Sequence, residues 1–169
     1  VTSPPLITIT VYGTPGSQGS KKHVGKGRMV EQTKTVKPWR QDVRQAAMDE
    51  IDRRIAAGED FTRLDGPIIA EMVFTMGDKP SGRPTWWPTG VRWSKTLWWL
   101  PASAPDISKL LRSTEDALTQ AGVWKDDARV VRYRDLAKVY VGQPGEPDAL
   151  RVPGAVIRLW SGLALDGAE

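Results

Sequence analysis

Asp106, Glu115, Asp116, Asp126 and Asp127 fall within one short stretch, interleaved with Lys109, Arg112 and Lys125. Carboxylate oxygens bind hard divalent cations such as Mg2+, and cations beside them stabilise the extra negative charge of a phosphoryl transition state. A metal so held activates water, polarises a phosphodiester and stabilises the leaving oxygen. The stretch is therefore suited to metal-assisted hydrolysis of a phosphodiester. Ile107, Leu110, Leu111, Thr114, Ala117, Leu118 and Ala121 recur at helical spacing and define one apolar face. Asp106 opens that helix, and Gly122 closes it. Lys125-Asp126-Asp127 is then a turn that sends the chain back beside the helix, bringing carboxylates of two elements toward a common point. By helical spacing Ser108, Arg112 and Glu115 share one face.

Each acidic residue also has a purely structural role open to it. Asp106 can cap free N–H groups and complement the helix dipole. Asp116 can pair with Arg112 one turn earlier. Asp126-Asp127 can serve as an ordinary turn.

The elements that must position these residues follow from periodicity. Leu6–Tyr12 reads as a β-branched strand, and Gly13–Ser20 ends it with turn residues. A loop then runs from Lys21 to Arg28, where Lys21, Lys22, Lys26 and Arg28 can grip phosphate beside permissive glycines. Its spacing is not that of a P-loop. From Pro38 to about Ala57 the pattern is helical, with Trp39, Val43, Ala46, Ala47, Met48, Ile51 and Ile55 mostly on one broad apolar face and Arg40 and Arg44 one turn apart. Pro67–Met76 is a second strand. Gly77–Ser103 is irregular, combining Pro80, Pro84, Pro88 and Pro101 with Trp86, Trp87, Trp93, Trp98 and Trp99 and with Arg83, Arg92 and Lys95. Val91–Leu100 is the one part of it with strand character. Aromatics among cations can stack on exposed bases, or alternatively plug a core or an interface. After the second helix come strands over Arg129–Val141 and Val152–Trp160, expected to pair as a hairpin, and a loose tail after Ser161. The expected fold is α+β, a single domain over 1–169 with a mixed four-stranded sheet and two main helices packed on it, and a Trp/Pro-rich insertion at about 77–103.

Composition narrows the chemistry. The 169 residues carry a net charge of +4 and no cysteine, so thiolate metal sites, disulfides and cysteine nucleophiles are excluded. The single histidine, His23, leaves little room for histidine-based metal or triad chemistry. No apolar run reaches membrane-span length and no secretory leader is recognisable, which fits a cytoplasmic protein. Lys21, Lys22, Lys26, Arg28, Lys34, Lys37, Arg40 and Arg44 crowd one segment whose only acidic residues are Glu31 and Asp42. Such a basic concentration favours a polyanionic partner.

Pro105-Asp106-Ile107-Ser108-Lys109-Leu110-Leu111-Arg112, then Asp116-Ala117-Leu118, then Asp126-Asp127-Ala128-Arg129-Val130 resembles the signature of RusA-type Holliday junction resolvases. That signature is approximately P-D-x-D-N-x-x-K, D-A-L and D-D-x-x-V, and the spacing agrees throughout. Trp39-Arg40 is similar to the aromatic-Arg opening of the family's first helix. The resemblance implies a homodimeric, Mg2+-dependent endonuclease of phage or prophage type, with Mn2+ able to stand in, that nicks branched four-way DNA junctions symmetrically without a small-molecule cofactor. It implies catalytic roles for Asp106, Asp127 and Arg112, the last in place of the family's lysine. It also implies metal ligation by Asp106 and Asp127; from the residues themselves, Asp126, Glu115 or Asp116 can supply a supplementary carboxylate, with Glu115 the best placed by helical spacing. Lys109 and Lys125 join the basic loop as DNA-contacting residues. Ser108 stands where the family has its second motif aspartate. The other reading is accordingly a catalytically weak or inactive protein that binds branched or single-stranded DNA.

Overall fold

A computed structural model describes residues 3–18, 21–23, 29–31 and 34–163. In chain order the elements are β1 (Ile7–Tyr12), β2 (Lys21–His23), β3 (Met29–Glu31), α1 (Val36–Ala56), β4 (Ile68–Thr75), α2 (Ile107–Gln120), a single 3-10 turn (Asp127–Arg129), β5 (Val130–Val139) and β6 (Gly154–Ser161). The main sheet is four-stranded and mixed, in the order β1-β6-β4-β5. β6 runs antiparallel to both β1 and β4, whereas β4 and β5 are parallel. This is the expected α+β class.

Both helices cover one face of the sheet. Ile7, Ile9 and Val11 of β1, Ala70, Met72 and Phe74 of β4, and Ile157 and Leu159 of β6 meet Trp39, Val43 and Ala47 of α1 and Leu110, Ala117 and Leu118 of α2. The alternation along β1 and the helical spacing along α2 produce this arrangement directly. Trp39 is fully buried, stands edge-on to Phe74 and donates from Nε1 to Thr114 Oγ1 at 3.0 Å. One side chain thus ties α1, α2 and β4 together. The segment after β1 is wedged in behind. Ser113 Oγ donates to the Gly16 carbonyl at 2.6 Å, and a Cβ at Gly16 would lie 2.3 Å from the Thr35 carbonyl oxygen. Only glycine permits that approach.

The expected terminal hairpin does not form. β6 buries Ala155, Val156, Ile157, Leu159 and Trp160 and so suits an interior position with partners on both sides. β5 carries exposed Val131, Arg132, Arg134 and Asp135 and takes the sheet edge beside β4. The 140–153 connection carries the chain across, pinned by Leu150 N–H donating to Thr75 Oγ1 at 3.0 Å and by Arg158 donating to both Asp148 oxygens at 2.6 and 2.7 Å. The loop expected over 21–28 begins with β2, which pairs with β3 just beyond it in a two-stranded ladder whose three-residue strands are too short to show a period. No strand forms over 91–100. Its prolines and tryptophans fold as successive turns. The tail expected after Ser161 falls on residues 164–169, outside the described residues.

Candidate active site along the second helix

α2 and β5 run side by side in opposite directions, because the connection between them is short. Gly122, at φ +76°, ends the helix in a conformation natural to glycine. Leu64 clamps the turn that follows. Its N–H donates to the Val123 carbonyl at 3.0 Å, and its carbonyl accepts from Lys125 N–H at 2.9 Å. Asp126 is taken up by this turn, accepting from Ala128 N–H at 2.7 Å. Asp127 follows it, exposed.

The acidic residues occupy two stations. At the N-terminal station, Asp106 occupies the helix cap position, yet its side chain makes no capping hydrogen bond. The capping role open to it in sequence is therefore unused. Its carboxylate is 62% exposed and lies 3.4 Å from Lys109 Nζ. Lys138, reaching across from β5, donates to the carbonyls of Ser103 at 2.7 Å and Pro105 at 2.9 Å. Burial pulls the Lys138 ammonium below its usual range, and the charge of Asp106 opposes that shift. Lys138 is a site neighbour that sequence reading passes over, because it sits far along the chain among strand residues. Its signal is a lone cation in an otherwise apolar strand segment, Leu136 to Val139.

The second station is nine residues further along α2, about 13 Å along the helix axis. There Tyr133 Oη donates to Glu115 Oε1. Burial raises the Glu115 carboxyl above the usual carboxylate range. The Tyr133 bond and Arg112 oppose this, while the charges of Asp127 and Asp116 add to it. Burial and the bond to Glu115 also raise the Tyr133 phenol, which stays protonated as a donor. Glu115 and Asp127 are thus close enough to repel one another, with Arg112 beside them. Asp116 pairs with Arg40 of α1 at 2.9 Å rather than with Arg112. The cross-helix partner wins because it bridges two packed elements. Arg112 makes no ion pair among the described residues.

Arg40 also lines an open cleft of about 340 Å3 together with Lys37, Gln41, Arg44 and Gln120. This cationic cleft borders the second station through the Arg40–Asp116 pair. Lys125 is half-exposed and shares Asp65 with Arg129, at 3.4 and 2.8 Å. Lys21 and Lys22 belong to β2, while Lys26 and Arg28 lie outside the described residues.

Among the described residues no three acidic or histidine side chains gather into a group able to hold a metal unaided. Mg2+, however, is commonly held by one or two carboxylates together with substrate phosphates and water. The charge-coupled pair Glu115 and Asp127 fits that mode. A closed protein cage is not what these residues provide. Ser108, exposed on the first turn of α2, adds only a neutral hydroxyl. No helix among the described residues is long and apolar enough to cross a membrane.

The profile of the family described as Endodeoxyribonuclease RusA matches residues 13–146. That range contains both stations, both helices and the cationic cleft. No curated protein matches the chain.

Proposed function

This chain belongs to the RusA endodeoxyribonuclease family, and from that premise we propose that it resolves four-way DNA (Holliday) junctions by Mg2+-dependent, symmetric phosphodiester hydrolysis as a homodimer. The observation that carries the reading is the second station: two mutually repelling carboxylates, Glu115 and Asp127, with Arg112 beside them and a cationic cleft adjoining. Arg112 offsets only part of that repulsion, since the Glu115 carboxyl stays above its usual range, and a bound dication would offset the rest. Glu115 and Asp127 would hold the metal, with Asp126 adjoining them, and Mg2+ supplies Lewis-acid polarisation and water activation when bound. Tyr133 orients Glu115 by holding one of its oxygens. Arg112 lies where it can take up the charge that develops on a phosphate, although it cannot serve as a proton donor at neutral pH. Asp106, uncommitted to capping and flanked by Lys109, acts from the N-terminal station. Lys37, Arg40 and Arg44 track the DNA backbone, Lys125 adds a further contact, and Lys21, Lys22, Lys26 and Arg28 supply additional positive charge for the same partner. Two copies related by a two-fold axis address the two strands of a pseudo-symmetric junction.

A second reading, binding without cutting, draws on Ser108 and on the absence of a ready-made cage among the described residues. Labelled four-way junction and linear duplex, each incubated with the protein with and without Mg2+, separate the two. Metal-dependent nicks confined to the junction are expected. Tight junction binding without nicks at any divalent-metal concentration would favour the second reading, and equal cutting of linear duplex would defeat the first.

A further inference from the structure

We infer that the segment 77–103 presents a stacking platform for unpaired nucleobases at the branch point of the bound DNA, an inference that rests on the junction reading above. The segment has no helix or strand, yet it is built around its own small core. Trp99 is buried and stands edge-on to Trp86 and Trp87, at 6.5 and 5.7 Å between ring centroids. Lys79 acts as its internal clamp. Its Nζ donates to the carbonyls of Lys95 and Leu97, both at 2.8 Å, and lies 4.4 Å from the centroid of Trp99. Trp87 Nε1 closes a further turn onto the Val91 carbonyl at 3.2 Å.

This internal packing leaves two large aromatic rings in solvent. Trp86 is 45% exposed and Trp98 42%. The same segment carries exposed Arg83, Arg92 and Lys95, which make no ion pair among the described residues, and Asp78 is its only acidic residue. The platform also leads directly into the candidate site. Lys138 holds the carbonyls of Ser103 and Pro105, the residues that connect the platform to Asp106.

The chemistry selects the occupant. Exposed indoles offer π-faces to planar partners, and unopposed cations favour a polyanion. Paired bases in a duplex hide their faces, so these rings gain little from linear DNA. Base pairs that flank an opened branch point lose a stacking neighbour on one side, and their bases can be splayed onto these rings. A second copy of this chain is a poor occupant, because an isologous contact would set the same cations against one another.

The test uses the full-length protein, a four-way junction carrying 2-aminopurine at the branch point, and a linear duplex of the same composition. Trp86→Ala/Trp98→Ala removes the Trp86 edge contact with Trp99 and the Trp98 ring beside Lys79, but keeps the Trp87–Trp99 pair and the Lys79 hydrogen bonds to the Lys95 and Leu97 carbonyls. It should weaken junction binding by about tenfold or more, leave duplex binding near that of the parent, and abolish quenching of 2-aminopurine. Trp86→Phe/Trp98→Phe should restore most of both signals. Parent-like junction binding by the alanine variant would overturn the inference while leaving the junction reading in place. So would an equal loss on junction and duplex, or a changed sedimentation coefficient with junction affinity intact. If the parent protein binds no DNA, the junction reading falls and the inference falls with it.

Discussion

Ser108 sits one helical turn before Arg112 and is exposed, so a longer acidic side chain there meets no packing obstacle. It would add a second carboxylate to the N-terminal station beside Asp106, and a negative charge in the first turn of α2 is favourable in itself. Ser108→Asp should therefore lower the Mg2+ concentration for half-maximal junction cleavage by roughly threefold or more. An unchanged or higher half-saturation point in a metal titration would remove Ser108 from the site. Glu115 carries a separate prediction for stability. Burial raises its carboxyl pKa in the folded protein above the unfolded value. Its contribution to stability is then fully present below the unfolded value and is lost as pH rises through the folded one. Relative to the parent, Glu115→Gln should be more stabilising, or less destabilising, near pH 7 than near pH 4. Thermal melts at the two pH values check this, and equal shifts at both would contradict it.

At the scale of elements, the site depends on α2 being held at a fixed height against α1 and β5. Trp39 does much of this through Phe74 and Thr114. Trp39→Ala should cost about 3–5 kcal/mol in urea-unfolding free energy, and a loss below about 1 kcal/mol would show that the helix pair is held elsewhere. α2 and its turn are legible in the sequence because the apolar spacing, Gly122 and the acidic turn are all local signals. The strand positions of β1, β4 and β5 are legible for the same reason. The place of β6 is not, because strand partners are chosen by burial across the whole sheet. Nor is the Arg40–Asp116 pair, whose members lie far apart in sequence. The candidate site is legible as a set of residues. The separation of Asp106 from Glu115 along the helix, and the roles of Tyr133 and Lys138, require knowing that β5 runs back along α2.

For the whole molecule, charge and shape distinguish two concave surfaces. The cleft of about 340 Å3 at the start of α1 is cationic, whereas a larger cavity of about 470 Å3 along β1 is lined by Asp42, Asp49 and Glu50 with one cation, Arg53, paired to Glu50, and is the less favourable surface for a polyanion. Under the proposed function, DNA would approach from the side where the start of α1 and the end of α2 meet, near the second station. A homodimer presenting two such surfaces predicts coordinated cuts in two strands, not independent single nicks. The most direct measurement of this account uses a supercoiled plasmid that extrudes a cruciform at one inverted repeat, incubated with the protein across a Mg2+ titration. Symmetric cutting across the cruciform junction yields linear plasmid, only when metal is present and only when the repeat is present. Plasmid that stays supercoiled at every metal concentration, or that is nicked equally with and without the repeat, would contradict it.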